Sequence, residues 1–174
     1  MSVAIRPVKT SDIPAITRIY AHAVEHGTSS FELTPPDETE MGRRMDGLVG
    51  GNFPYFVAEI DGALAGYAYA GLYRTRPAYR FTVEDSVYIA PDMHRRGVGR
   101  ALLVALIEAA QQRGFRQMIA VIGDSPNQPS SIGLHEAVGF RHVGILQDVG
   151  FKHRGWRDTL LMQRALGEGG TTAP

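Results

Sequence analysis

One stretch of this sequence limits the possible folds more than any other. Thr82-Val83-Glu84-Asp85-Ser86-Val87-Tyr88-Ile89 has the β-branched content and alternation of a strand. The turn His94-Arg95-Arg96-Gly97-Val98-Gly99-Arg100 follows. Leu102, Leu103, Leu106, Ile107 and Ala110 then recur at helical spacing up to Gly114, a natural helix stop. A strand that feeds a helix through a tight turn calls for a layered fold with both element types.

The rest of the chain supplies the layers. Ala4 to Val8 reads as a short strand. Ser11 is placed to cap a helix with Pro14 in its first turn, with Ile13, Ile16, Tyr20, Ala23 and Val24 on one face, ending near Gly27. Thr28 to Pro36 is a loop, and Asp37 to Val49 a second helix. Tyr55 to Ile60 and Ala63 to Leu72 flank Asp61-Gly62, a type I′ hairpin signal. Gln117 to Ile122 predicts a strand, Ser130 to Val138 a short helix, and Arg141 to Gln147 and Asp158 to Gln163 two last strands. The expected class is therefore α/β or α+β, a mixed sheet covered on both faces. A single domain is expected over residues 1–166, with a disordered tail over residues 167–174.

The Arg95–Arg100 turn lies where unpaired amides and the helix dipole favour an anion, and Gly97 and Gly99 let the backbone close on it. A Rossmann turn needs a third glycine where Leu102 stands, and a Walker loop needs a Gly-Lys-Ser/Thr ending. Neither is present. What remains suits a pyrophosphate held by backbone amides with Arg95, Arg96 and Arg100 around it; the alternative is an ordinary helix start with solvated arginines.

Composition narrows the partners. The 18 basic and 18 acidic side chains cancel, which argues against nucleic acid or an anionic membrane as a bulk electrostatic partner. No cysteine is present, so thiolate metal sites, disulfides and a cysteine nucleophile are excluded, no metal is expected, and a reducing cytoplasm is the expected compartment. The longest apolar run, Ala101 to Ile107, is too short to span a bilayer.

With these residues in view, the turn resembles the signature of the GNAT superfamily of N-acyltransferases, Arg/Gln-x-x-Gly-x-Gly/Ala, with His94, Gly97 and Gly99 at its positions. Four ordered blocks resemble the phosphinothricin acetyltransferase family within it: Tyr55 to Gly71, Thr82 to Ile89, Leu134-His135-Glu136-Ala137-Val138-Gly139-Phe140, and Gly150-Phe151-Lys152-His153. The resemblance runs from about Ile5 to Gln163. It implies a GNAT fold, a mixed but mostly antiparallel sheet of about seven strands with about four helices. It also implies acetyl-CoA as donor, a small amino-acid-like amine as acceptor (phosphinothricin, methionine sulfone or methionine sulfoximine type), direct attack in a ternary complex, and a homodimer.

An alkylammonium must lose a proton before it can attack a thioester, so the reaction needs a base. The resemblance assigns that role to Glu84; alternatively, Glu84 makes an ion pair with Arg74, Arg76 or Arg80. Alternation puts Glu84, Ser86 and Tyr88 on one strand face and Val83, Val87 and Ile89 on the other. His135 falls on the buried face of its helix, where it either assists the base or the leaving group, as the resemblance suggests, or is a hydrogen-bonded core histidine.

For the donor, the resemblance implies contacts from Val87, Tyr88, Ile89 and the residues His94, Arg95, Arg96, Gly97, Val98, Gly99 and Arg100. The pantetheine arm is expected at Asn127 or Ser131, although strict spacing puts the family's asparagine at Gln128. For the acceptor, Phe31, Arg74, Arg76, Tyr79 and Thr82 are expected, the arginines suiting a carboxylate or phosphinate. Acetylation of a polyamine, a dipeptide or a protein N-terminus, and a non-catalytic acyl-CoA sensor, stand as alternatives.

Overall fold

In the computed structural model, which describes residues 2–174, the chain runs β1 (Ala4–Pro7), α1 (Ile13–His26), α2 (Glu38–Gly50), β2 (Tyr55–Ile60), β3 (Ala63–Leu72), β4 (Thr82–Ile89), α3 (Val98–Gln112), β5 (Gln117–Gly123), α4 (Pro129–Ala137), β6 (Arg141–Lys152) and β7 (Gly155–Ala165). The strands form one seven-stranded sheet in the order β1-β2-β3-β4-β5-β7-β6. Neighbours are antiparallel except β4 and β5, which run parallel. Because α3 connects that parallel pair, it must cross one face of the sheet. The expected class and layering are borne out.

Strand alternation divides the interior into two cores. Ala58, Ala68, Val83, Met118 and Met162 face α3, whose Leu102, Leu103 and Leu106 are fully buried against them. Each such leucine contributes roughly 1.5–3 kcal/mol of apolar burial. Val57 and Tyr67 turn the opposite way and meet Ile16, Tyr20 and Val24 of α1 and Met41 and Met45 of α2. Asp61 and Gly62 have φ of 51° and 80°, as the predicted type I′ turn requires.

Three boundaries differ from the sequence reading. Ser11 does not cap α1: a 3-10 turn, Thr10–Asp12, precedes the helix, and Asp12 takes the cap position. The Asp12 carboxylate accepts from the Lys9 amide and from Arg6, which also reaches Glu59 of β2, so tertiary pairing decides where the helix begins. Strands β6 and β7 extend well beyond Gln147 and before Asp158, because the ladder resumes after an irregularity between Leu146 and Gly150. Residues that look like breakers sit in that irregularity, including Asp148 with φ of 53°. The tail expected to be disordered turns back on the body: the Gly169 amide donates to the Leu166 carbonyl, and Arg116 donates to Thr172 and Ala173.

Candidate active site

The parallel ladder between β4 and β5 is short. It runs from Thr82 opposite Gln117 to Asp85 opposite Ala120 and then stops, although both strands continue. Beyond that rung β4 keeps its other partner, pairing with β3 as far as Ile89 opposite Gly66. The sheet therefore opens as a V. Backbone groups of Ser86 to Ile89 on the β5 side have no strand partner, and such groups require another one.

Two connected clefts fill and flank the V. The inner one, about 260 Å³, is lined by Glu84, Asp85, Ser86, Val87, Tyr88, Phe31 and His135, with Ala120 to Gly123 opposite. The outer one, about 490 Å³, continues along Val87, Tyr88 and Ile89 to His94, Arg95, Gly97, Val98, Gly99 and Arg100. Ser29, Val87, Tyr88 and Ser131 border both. A ligand with an anionic head at the turn could thus run a thin arm along β4 to Glu84.

The turn is built for that head. Arg95 and Gly97 have φ of 60° and 79°, a left-handed bend that points successive amides at one place. Gly97 is the N-cap of α3 and supplies no side-chain cap, and the first turn contains no acid. The first amides of a 15-residue helix are left facing the cleft. An anion there gains about 0.3–1 kcal/mol from the dipole, more when partly buried.

Glu84 is half-buried, and burial, then the neighbouring Asp85 charge, push its carboxyl above the ordinary range; Arg74 opposes them weakly. Among the described residues it makes no ion pair with Arg74, Arg76 or Arg80. A carboxylate held this way is a better base near neutral pH than a solvated one.

His135 is buried, as its helix face predicted, and its partner is now visible. Its Nε2 lies 3.0 Å from Asp85 Oδ2 and its Nδ1 lies 2.7 Å from the Ser131 carbonyl oxygen. The Phe140 ring meets it edge-on. Burial pulls the imidazole down, but the Asp85 hydrogen bond and charge, with the Ser131 carbonyl, together outweigh it and hold the ring above its ordinary range.

Of the expected donor contacts, Val87, Tyr88, Ile89, His94, Arg95, Gly97, Val98, Gly99, Arg100 and Ser131 share the outer cleft. Arg96 is exposed and outside its lining. Asn127 also lies outside, because its side-chain amide donates to both oxygens of Asp124 at 3.1 and 3.0 Å. Asp124 in turn accepts from Thr28 and faces Arg157. Gln128, the position given by strict spacing, lines the cleft instead.

Of the expected acceptor contacts, only Phe31 borders the inner cleft. Arg74 lies 5.0 Å over the Tyr73 ring, Tyr79 meets Tyr73 edge-on, and Arg80 stacks on Phe81. Self-packing carries Arg74 and Tyr79 outward, Arg76 is exposed, and Thr82 sits at the start of β4 below the split. Within this chain these residues form an outer rim near Glu84 and do not line its pocket.

The sequence reading missed several lining residues. Asp85 carries no local signal, since its partner is 50 positions away and no local spacing links them. Ser29 and Ser30 are held in place by distant contacts: buried Lys152 donates to the Ser30 carbonyl at 2.7 Å, and His153 Nε2 meets the Gly27 carbonyl. His22 and His26 face the outer cleft from α1 beside Ile19 and Ala23. Both are exposed beside the buried stripe of Ile13, Ile16, Ile19, Tyr20 and Val24, and a histidine on such a flank carries no local signal.

Comparison with known proteins gives the family of the chain. Residues 5–161 match the acetyltransferase (GNAT) domain family. Phosphinothricin N-acetyltransferase of Alcaligenes faecalis is 56% identical over 170 residues, spanning 98% of this chain and 86% of that protein. The L-methionine sulfoximine/L-methionine sulfone acetyltransferase of Pseudomonas aeruginosa is 38% identical, spanning 95% of this chain and 96% of that one. The crystal structure of a GNAT superfamily phosphinothricin acetyltransferase from Sinorhizobium meliloti in complex with AcCoA superposes with a TM-score of 0.97 at 47% identity, covering 100% of this chain and 94% of that one.

Proposed function

Because this chain belongs to the GNAT acetyltransferase family, we propose that it transfers the acetyl group of acetyl-CoA to the α-amine of a small amino-acid-like substrate of the phosphinothricin, methionine sulfone or methionine sulfoximine type. It is an acetyl-CoA-dependent N-acetyltransferase. The observation that carries the acceptor reading is the placement of Glu84 in the inner cleft, at the end of the channel leading from the Arg95–Arg100 turn.

In this reading the diphosphate rests on the amides of the turn, the arm follows Val87 to Ile89 past Gln128 and Ser131, and the thioester reaches the split. Glu84 takes one proton from the substrate ammonium. The freed amine forms a bond to the thioester carbon, and the oxygen that gains charge is met by an unpaired β4 amide. The C–S bond then breaks, the thiolate leaves with its electron pair, and the second nitrogen proton ends on the thiol or in solvent. Phe31 would wall the acceptor, and the rim residues Arg74, Arg76, Tyr79 and Thr82 would meet its anionic end.

The homodimer belongs to the same proposal. Val143, Ile145, Leu146, Val149, Phe151 and Trp156 are all exposed on the β6–β7 hairpin, an apolar surface of the kind that marks an interface. A partner docked there would bring its own hairpin near the rim. We place the enzyme in the cytoplasm, where acetyl-CoA is available.

The test is thiol release from acetyl-CoA across an amine panel. Phosphinothricin, methionine sulfone and methionine sulfoximine should give turnover well above polyamines, dipeptides and peptide N-termini. Coenzyme binding by calorimetry without turnover on any amine would replace this reading with a sensor.

A further inference from the structure

The two contacts of His135 restrict where its protons can sit. The Ser131 carbonyl oxygen can only accept, so at 2.7 Å the Nδ1 must bear a hydrogen. The Nε2 faces a carboxylate oxygen of Asp85 at 3.0 Å. A neutral ring protonated on Nδ1 would set a lone pair against a carboxylate lone pair, so this contact too must hold a proton. Both ring nitrogens are then committed, and neither is open to the cleft that the ring borders.

We propose that His135 is a positioning residue: an imidazolium locked between α4 and β4 that offsets part of the charge of Asp85 beside Glu84 and so favours the ionised base. The proposal rests on the reading of Glu84 as base. It explains why two acids in succession on β4 are tolerated at the split. It also gives the pair a mechanical role, since Ser131, one turn before His135, borders both clefts.

The charged surroundings of the pair are few. Glu84 is faced by Asp85 on its own strand, Tyr69 of β3 and Arg74 beyond β3. β5, reading QMIAVIG, contributes no titratable group, and β7 contributes Thr159 to the cleft. On α4 itself Glu136 is turned away and pairs with His142 at 2.8 Å.

The experiment is a pH profile of kcat/KM for wild type, His135→Gln, the double variant Asp85→Asn/His135→Gln, and Glu84→Gln. Loss of the cation alone leaves Asp85 charged beside the base, so the acid limb for His135→Gln should move up the pH axis by about one unit. The loss should be several-fold at pH 6 and small at pH 8.5. Removing both charges should return the limb to its wild-type position or below. A direct proton donor behaves differently: activity would fall by about 10²–10⁴ at every pH in both variants, with the acid limb unmoved, and that result would overturn the proposal.

Glu84→Gln separates the two readings, since full turnover in that variant removes Glu84 as base whatever His135 does. Nitrogen NMR of the wild-type enzyme tests the pair without any substitution. Both His135 ring nitrogens should be protonated from pH 6 to 8, and a neutral tautomer in that window would also overturn the proposal.

Discussion

The ring of Phe31 occupies the space where a side chain on Gly150 would stand. A Cβ built on Gly150 would overlap the Cε2, Cδ2 and Cζ atoms of the ring, and one on Gly123 would lie 2.9 Å from it. The two glycines, one on β5 and one on β6, make a flat seat for the aromatic ring, and the seat aims the loop from Gly27 to Pro36 at the inner cleft.

Gly150→Ala should therefore dislodge Phe31. Overpacking of this kind costs about 1–3 kcal/mol, which a urea titration would show. Steady-state kinetics should show a several-fold rise in acceptor KM, while calorimetry finds acetyl-CoA binding nearly unchanged. Equal losses for donor and acceptor would mean the loop supports the whole fold and not the acceptor side in particular.

Glu84→Gln should lower kcat by about 10²–10⁴ with little change in coenzyme affinity. It should also raise the neutral-pH Tm. The folded carboxyl titrates above its unfolded range, chiefly through burial. Its stabilising form is thus the protonated one, present at low pH and lost as pH rises through the folded value. Thermal melts from pH 4 to pH 8 should show the variant's advantage growing with pH; an advantage confined to low pH would reverse the sign.

His135 titrates above its ordinary range because of Asp85. Its contribution to stability is accordingly complete below the ordinary histidine value and disappears as pH rises through the folded one. Urea midpoints of the wild type should decline as pH rises from the ordinary histidine value through the folded one, and His135→Gln should flatten the decline.

Gly97→Ala tests the donor site. With φ of 79° at that position, an alanine there is strained by about 1–3 kcal/mol, and the bend that collects the amides is disturbed. Acetyl-CoA affinity should fall about tenfold or more by calorimetry. Gln128→Ala should weaken the coenzyme several-fold. Asn127→Ala should leave binding near wild type and lower Tm, because its amide serves Asp124.

Ile145→Asp places a charge in the exposed apolar face of the β6–β7 hairpin. Light scattering should find a dimer in the wild type and a monomer in the variant, with acceptor KM raised in the monomer. A wild-type monomer would remove the dimer from the proposed function.

How much of this could be read from the residues in order differs by type of interaction. Strand alternation in Thr82 to Ile89, the Asp61-Gly62 turn, the α3 leucines and the anion-ready turn at Gly97 all depend on neighbours within a few positions. The sequence by itself determined them because propensity, periodicity and turn conformation are local properties. The strand ladder past Asp148, the displacement of Asn127 by Asp124 and the pairing of His135 with Asp85 depend on contacts between distant segments. Only the tertiary structure decided those, as it decided that β4 and β5 separate after Asp85 and Ala120. The reason is physical: a buried proton, a seat for an aromatic ring and an opening in a sheet are each defined by what the chain brings back from elsewhere.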